Sequence, residues 1–145
     1  MNKITTISIL VLVFALGFFV FYNPQPVSNP IQNTEQKWET KTDEQASVTV
    51  VVTPLDLSAE SNEWKFDVVM DTHSVELDKD MTKISVLVDD QGKEYKPIRW
   101  EGAEPGGHHR EGVLIFGQIV PNSQSIKLKI SDVGDVVRSF IWQLK

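Results

Sequence analysis

The sequence predicts an all-β protein: an immunoglobulin-like antiparallel β-sandwich of about seven strands over residues 47–145, preceded by an N-terminal transmembrane helix and a disordered tether. Three observations carry that expectation. Short β-branched or alternating segments recur through the last 99 residues, turn residues punctuate them, and no stretch among them has a helical period. A chain of 145 residues holds one such domain plus appendages.

The elements follow in order. From Ile4 to Tyr22 only Thr5, Thr6 and Ser8 are polar and nothing is charged. Nineteen residues at helical rise reach roughly 28 Å, the hydrocarbon thickness of a bilayer. The run ends in Phe18, Phe19, Val20, Phe21 and Tyr22, too bulky for a signal-peptidase site, and no cysteine offers a lipid anchor, so residues 1–22 read as an uncleaved signal-anchor. Lys3 before the span places the N-terminus in the cytoplasm and everything after Asn23 outside, a single-pass protein of the cell membrane. Residues 23–46 carry Pro24, Pro26 and Pro30 among Asn, Gln and Thr, with only Val27, Ile31 and Trp38 as sizeable apolar groups. Such a stretch buries too little to offset chain entropy and is expected as a flexible linker, holding the domain roughly 25–30 Å from the bilayer. Trp38 is open between three roles: resting on the membrane interface, resting on the domain, or merely exposed.

Within the domain, Ser47 to Thr53 is β-branched at every position after Ser47 and stopped by Pro54, which suits an edge or first strand. Trp64, Phe66, Val68 and Met70 alternate with Lys65 and Asp67, so one face points into a core. Lys83 to Val88 and Glu94 to Trp100 flank the turn Asp90-Gln91-Gly92; Val113 to Gln118 and Ile126 to Ile130 flank Pro121-Asn122-Ser123. Val136 to Leu144 closes the domain with Phe140, Trp142 and Leu144 on one face.

Composition removes many functions. Without cysteine there is no disulfide scaffold, thiolate zinc site, iron–sulfur cluster, blue-copper centre or cysteine nucleophile. Beyond the anchor, 13 positive against 20 negative charges disfavour nucleic acid and anionic polymers. No phosphate-cradling glycine loop and no nucleophile elbow is present, and no nucleophile–base pair is visible, so the chain is not expected to be an enzyme. Leu77-Asp78-Lys79-Asp80 lacks the glycine and distant glutamate of a calcium loop.

All three histidines fall in two short motifs, Asp71-Thr72-His73-Ser74 and Gly106-Gly107-His108-His109-Arg110. If the strand stays extended, Asp71 and His73 share a face roughly 6–7 Å apart, while Gly106 and Gly107 let the loop turn both imidazoles inward. Asp71, His73, His108 and His109 are thus candidate ligands for zinc or copper(II), donors of borderline softness. Three alternatives stay open. Asp71 accepts hydrogen bonds from Arg110 and one histidine and pins the loop; the loop amides with Arg110 form an anion nest; or the paired histidines sense pH.

Trp64-x-Phe66-x-Val68, Asp71-Thr72-His73-Ser74, Asp90-x-Gly92, Trp100-x-Gly102 and Pro105-Gly106-Gly107-His108-His109-Arg110 resemble a group of uncharacterised membrane-anchored or secreted prokaryotic β-sandwich proteins. The likeness runs from about Trp64 to Phe116 and implies a sandwich, with no activity attached. Asp71-x-His73 is also similar to the copper ligands of CopC-like periplasmic carriers, where a mature N-terminal histidine completes the site. The expected function is therefore a membrane-anchored extracytoplasmic binding domain coordinating zinc or copper through its His/Asp cluster. The alternative is a non-catalytic interaction or structural module. The partners are the membrane through residues 4–22 and either a metal ion or another extracytoplasmic protein.

Overall fold

Apolar and polar residues alternate along most of the C-terminal region, and the computed structural model, which describes residues 37–119 and 123–144, turns that alternation into nine strands. In chain order they are β1 (Lys41–Gln45), β2 (Val48–Asp56), β3 (Glu63–Thr72), β4 (Ser85–Asp89), β5 (Glu94–Tyr95), β6 (Arg99–Gly102), β7 (His109–Gly117), β8 (Ser125–Val133) and β9 (Val136–Gln143). One helical turn, α1 (Met81–Ile84), precedes β4, with the Asp80 carboxylate accepting from the Thr82 amide at 3.0 Å. The strands form two antiparallel sheets, β1-β2-β3-β7-β6 and β5-β4-β8-β9.

The fold is an all-β, two-sheet sandwich. Inward rows from both sheets meet in one core: Val48, Val50 and Val52 from β2, Trp64, Phe66, Val68 and Met70 from β3, and Leu114 and Phe116 from β7 lie against Leu87, Ile126, Leu128, Ile130, Phe140 and Trp142. Phe66 sits 5.7 Å edge-on to Phe116 and 5.6 Å from Trp142 of the opposite sheet. Fully burying a side chain of this size contributes roughly 1.5–3 kcal/mol.

Four expectations need correction. The linker expected over 23–46 ends early: Lys41–Gln45 is a strand, Trp38 packs on the core, and Trp142 Nε1 donates to the Glu39 carbonyl at 2.7 Å. The strand expected to stop at Pro54 continues to Asp56. Proline is tolerated there because β1 pairs no further than Val52, so no neighbour on that side needs its missing N–H, and the β3 register shifts just beyond it. The single strand expected from Glu94 to Trp100 is two, because the chain leaves one sheet at Tyr95, passes Pro97 and joins the other at Arg99. A helical turn stands where the third strand was to begin. With β1 added and the Glu94–Trp100 strand divided, the described residues hold nine strands rather than seven.

The anchor expected over 1–22 and linker residues 23–36 lie outside the described residues. Among the described residues no helix is long and apolar enough to cross a membrane.

Candidate functional site

The ends of β1, β3, β6 and β8 and the starts of β2, β4, β7 and β9 meet at one end of the sandwich, where all three histidines lie. Two-residue turns close two of the hairpins there. Ala46 (φ 50°) and Ser47 (φ 62°) join β1 to β2; Gly134 (φ 66°) and Asp135 (φ 58°) join β8 to β9. Positive φ at Ala46 and Ser47 is strained for residues with a Cβ, and the Thr72 hydroxyl secures the turn by donating to the Ser47 carbonyl at 2.7 Å.

β3 and β7 pair so that Asp71 stands opposite His109 and Met70 opposite Arg110. Successive side chains leave opposite faces of a sheet, so Asp71 and His109 point out while Arg110 points in. Outside, His109 Nδ1–H donates to Asp71 Oδ1 at 2.5 Å, and His109 Nε2 lies 3.7 Å from Glu111 Oε2. The hydrogen bond to Asp71, then its charge, and more weakly Glu111, raise the histidine's pKa above its usual 6.5. Two residues along β3 from Val69, Asp67 is pushed up by desolvation and then by the Glu111 charge.

Inside, Arg110 is 2% exposed. Its Nε donates to the Ala103 carbonyl at 3.1 Å, and Nη1 to the carbonyls of Lys79 at 2.5 Å and Leu77 at 3.3 Å. The guanidinium carbon stands 5.3 Å from the Trp100 ring centroid. Burial lowers its pKa, offset by the charges of Asp80 and Glu104. Arg110 thereby fastens the β3–α1 and β6–β7 connections together.

The glycine loop is tied to the same segment. Gly106 N–H donates to the Leu77 carbonyl (2.9 Å), Leu77 N–H to the Gly107 carbonyl (3.0 Å), and Gly107 N–H to Glu76 Oε1 (2.8 Å). Gly106 has φ +128° and Gly107 φ +76°, a conformation that a side chain resists. His108 contributes its backbone carbonyl, which accepts from Thr72 N–H at 2.9 Å.

Of the four expected ligands, Asp71 and His109 come together, whereas His73 and His108 do not join them. β3 ends at Thr72, whose hydroxyl accepts from the amides of Ser74 and Val75 at 3.2 Å and turns the chain, so His73 leaves the strand before it can share Asp71's face. It lines a shallow open depression beside the β1–β2 turn, with Glu44, Gln45 and Ser74. Among the described residues no three carboxylate or imidazole groups gather to hold an ion. The Asp71–Arg110 bond weighed above does not form, because adjacent residues His109 and Arg110 face opposite ways. The Gly106 and Gly107 amides that an anion nest needs are already held by Leu77 and Glu76.

A second buried cation went unread. Arg138, 0% exposed, lies on the inward row of β9 with Phe140 and Trp142. It donates to the carbonyls of Val133 and Gln45, the latter at 2.7 Å, and its Nε is 3.0 Å from Asp43 Oδ1. That last contact is between charges without hydrogen-bond alignment, and neither atom has another partner. The signal was available: a lone arginine in an otherwise apolar row of period two must be buried, and a buried charge requires a partner.

Together these features define a two-sheet antiparallel β-sandwich with one end tied by buried arginines. Among solved structures, a secreted protein of Mycobacterium tuberculosis, MPT63, is similar to this chain at 16% identity and a TM-score of 0.41, over 75% of this chain and 93% of that one. No family model and no curated protein matches the sequence.

Proposed function

We propose that this chain is a non-catalytic extracytoplasmic interaction module: an immunoglobulin-like sandwich carried by a signal-anchor over residues 1–22, whose histidine loop is a structural clasp. The apolar, uncharged run from Ile4 to Tyr22 supports the anchored half of the reading. The observation that carries the clasp is the division of labour at β7. Arg110 reaches three loop carbonyls from inside the sandwich while Asp71 takes the His109 ring outside it. Polar groups already engaged in this way rigidify a surface and leave few donors for a ligand.

Two measurements test it. The chain has no cysteine, so Glu60→Cys at an exposed position introduces a unique label site. A membrane-impermeant maleimide is expected to label it in intact cells; labelling only after lysis overturns the topology. For the clasp, zinc or copper(II) is expected to leave the melting temperature unchanged. A saturable rise that His109→Ala abolishes would restore metal coordination by Asp71, His73, His108 and His109, since a ligand held only by the native state stabilises it.

A further inference from the structure

Far from the chemistry of the histidine end, the sheets leave four edges: β1 and β6 on one sheet, β5 and β9 on the other. Natural sheets protect such edges with charge or brevity, because an open row of N–H and C=O groups invites another strand. Three of the four follow that rule. β1 carries Lys41, Asp43 and Glu44, β6 carries Arg99 and Glu101, and β5 is two residues long and begins with Glu94. β9 does not. Its outward row is Val137, Ser139, Ile141 and Gln143, eight residues of regular strand without an outward charge. Val137 is 61% and Ile141 46% exposed, two of the four large apolar side chains left open among the described residues.

The backbone of β9 shows which groups are available. Leu144 N–H donates to the Gln124 carbonyl on the β8 side, so the even-numbered residues of this strand turn their amides and carbonyls towards β8. Val137, Ser139 and Ile141 therefore turn theirs to the open edge. Among the described residues no backbone hydrogen bond reaches that edge; the neighbouring segment touches β9 through the side chains of Trp142 and Arg138.

We infer that β9 is a self-pairing edge, and that a second copy of this chain adds its own β9 antiparallel to it about a two-fold axis through Ser139. The row is self-complementary in that register. Ser139 faces its own copy, and Val137 of each chain faces Ile141 of the other, an isologous contact between β-branched side chains. Each of these three pairs is of the hydrogen-bonded kind, so six backbone hydrogen bonds form. Charge along the strand permits that occupant. Although two chains of net charge −6 repel at a distance, the outward row of β9 carries no charge, so no like charges stand opposite each other where two copies meet along it. This inference concerns a different surface from the histidine clasp and stands or falls separately from it.

The absence of cysteine makes the register testable in the full-length chain in mild detergent. Hydrogen-bonded antiparallel partners have Cα atoms about 5.5 Å apart, inside the range a disulfide spans. Ser139→Cys is expected to give a disulfide-linked dimer on gentle oxidation. Lys127→Cys, on the same face but one strand further in, should stay monomeric at the same protein concentration. Adding Val137→Lys and Ile141→Lys to Ser139→Cys should abolish the link while circular dichroism and the melting curve remain those of a folded chain. Two outcomes overturn the inference: a folded Ser139→Cys chain that does not link, as when another segment or protein occupies β9, and equal linking of Lys127→Cys, which marks random collision.

Discussion

Arg110 and Arg138 are both inward-facing guanidinium groups at the same end of the sandwich, yet they are accommodated differently. Arg138 has a carboxylate at 3.0 Å, from Asp43, and its carbonyl partners include Gln45, 93 positions away in sequence. Arg110 hydrogen-bonds no carboxylate; its three carbonyls belong to the two loops it stands beneath, and Trp100 covers its face. Desolvation drives both pKa values down, and at Arg138 Asp43 opposes it directly. The contrast teaches that Arg138 closes the fold, tying the segment before β2 to the last strand, whereas Arg110 shapes one rim. A planar fork with five donors suits both tasks, and lysine would serve neither.

Removing the segment that supplies Arg138's partners breaks the comparison hardest. A chain starting at Ser47 loses Trp38, the Glu39 carbonyl, Asp43 and the Gln45 carbonyl, but keeps every partner of Arg110. Stranding a buried ion costs about 3–5 kcal/mol. Lost packing and an unpaired indole N–H add to that, against a total stability of order 5–15 kcal/mol. Urea denaturation is expected to lose its cooperative transition in the chain from Ser47 and to retain it in a chain from Lys37. Equal midpoints would show that β1 is an ornament.

Single substitutions sharpen the difference. Arg138→Met should lower stability by about 3–5 kcal/mol, because Asp43 is left as a largely buried anion. Asp43→Asn added to it should recover part of that loss, and the coupling energy of the four-way cycle measures the pair. Arg110→Met should cost less, about 1–3 kcal/mol, since it strands only carbonyl oxygens and one aromatic face. If Arg110→Met proved the costlier, the carboxylate would not be what distinguishes the two sites.

Much of this was legible in the sequence, and the failures have causes. Alternation located the inward rows of β3, β8 and β9 because period two is unambiguous over several residues. β1 was invisible because its hairpin turn is Ala46-Ser47, both at positive φ, where a readable turn would carry Asn-Gly or Asp-Gly. Without that signal, Lys41-Thr42-Asp43-Glu44-Gln45 looks like polar linker. At the histidine end, the motifs were found but the faces were not. Whether His109 and Arg110 share a partner depends on β7 starting at His109 rather than at Val113, a boundary shift of four residues. One end of one strand thus sets which side chains of the two motifs can meet.

The smallest expected effect lies on the outer side of the same two residues, and its sign is fixed by the direction of the His109 shift. Its pKa is raised, chiefly by the hydrogen bond to Asp71, so folding favours the protonated ring. That contribution is complete below the unfolded value near 6.5 and disappears as pH rises through the higher folded value. Native protein should therefore lose a little stability relative to Asp71→Asn between pH 6 and pH 8. Both side chains are more than half exposed, so solvent and salt screen the pair and the loss is small. The sharper observable is the ring's own titration, followed by NMR of its carbon-bound protons. Asp71→Asn should lower the His109 pKa clearly, Glu111→Gln should lower it less because that contact is 3.7 Å, and added salt should shrink both differences. Arg110→Met should leave it nearly unmoved, because the guanidinium is on the other face of the sheet. A His109 titration that followed Arg110→Met and ignored Asp71→Asn would mean that the two faces of β7 are not separate, and the division between clasp and surface pair would fail.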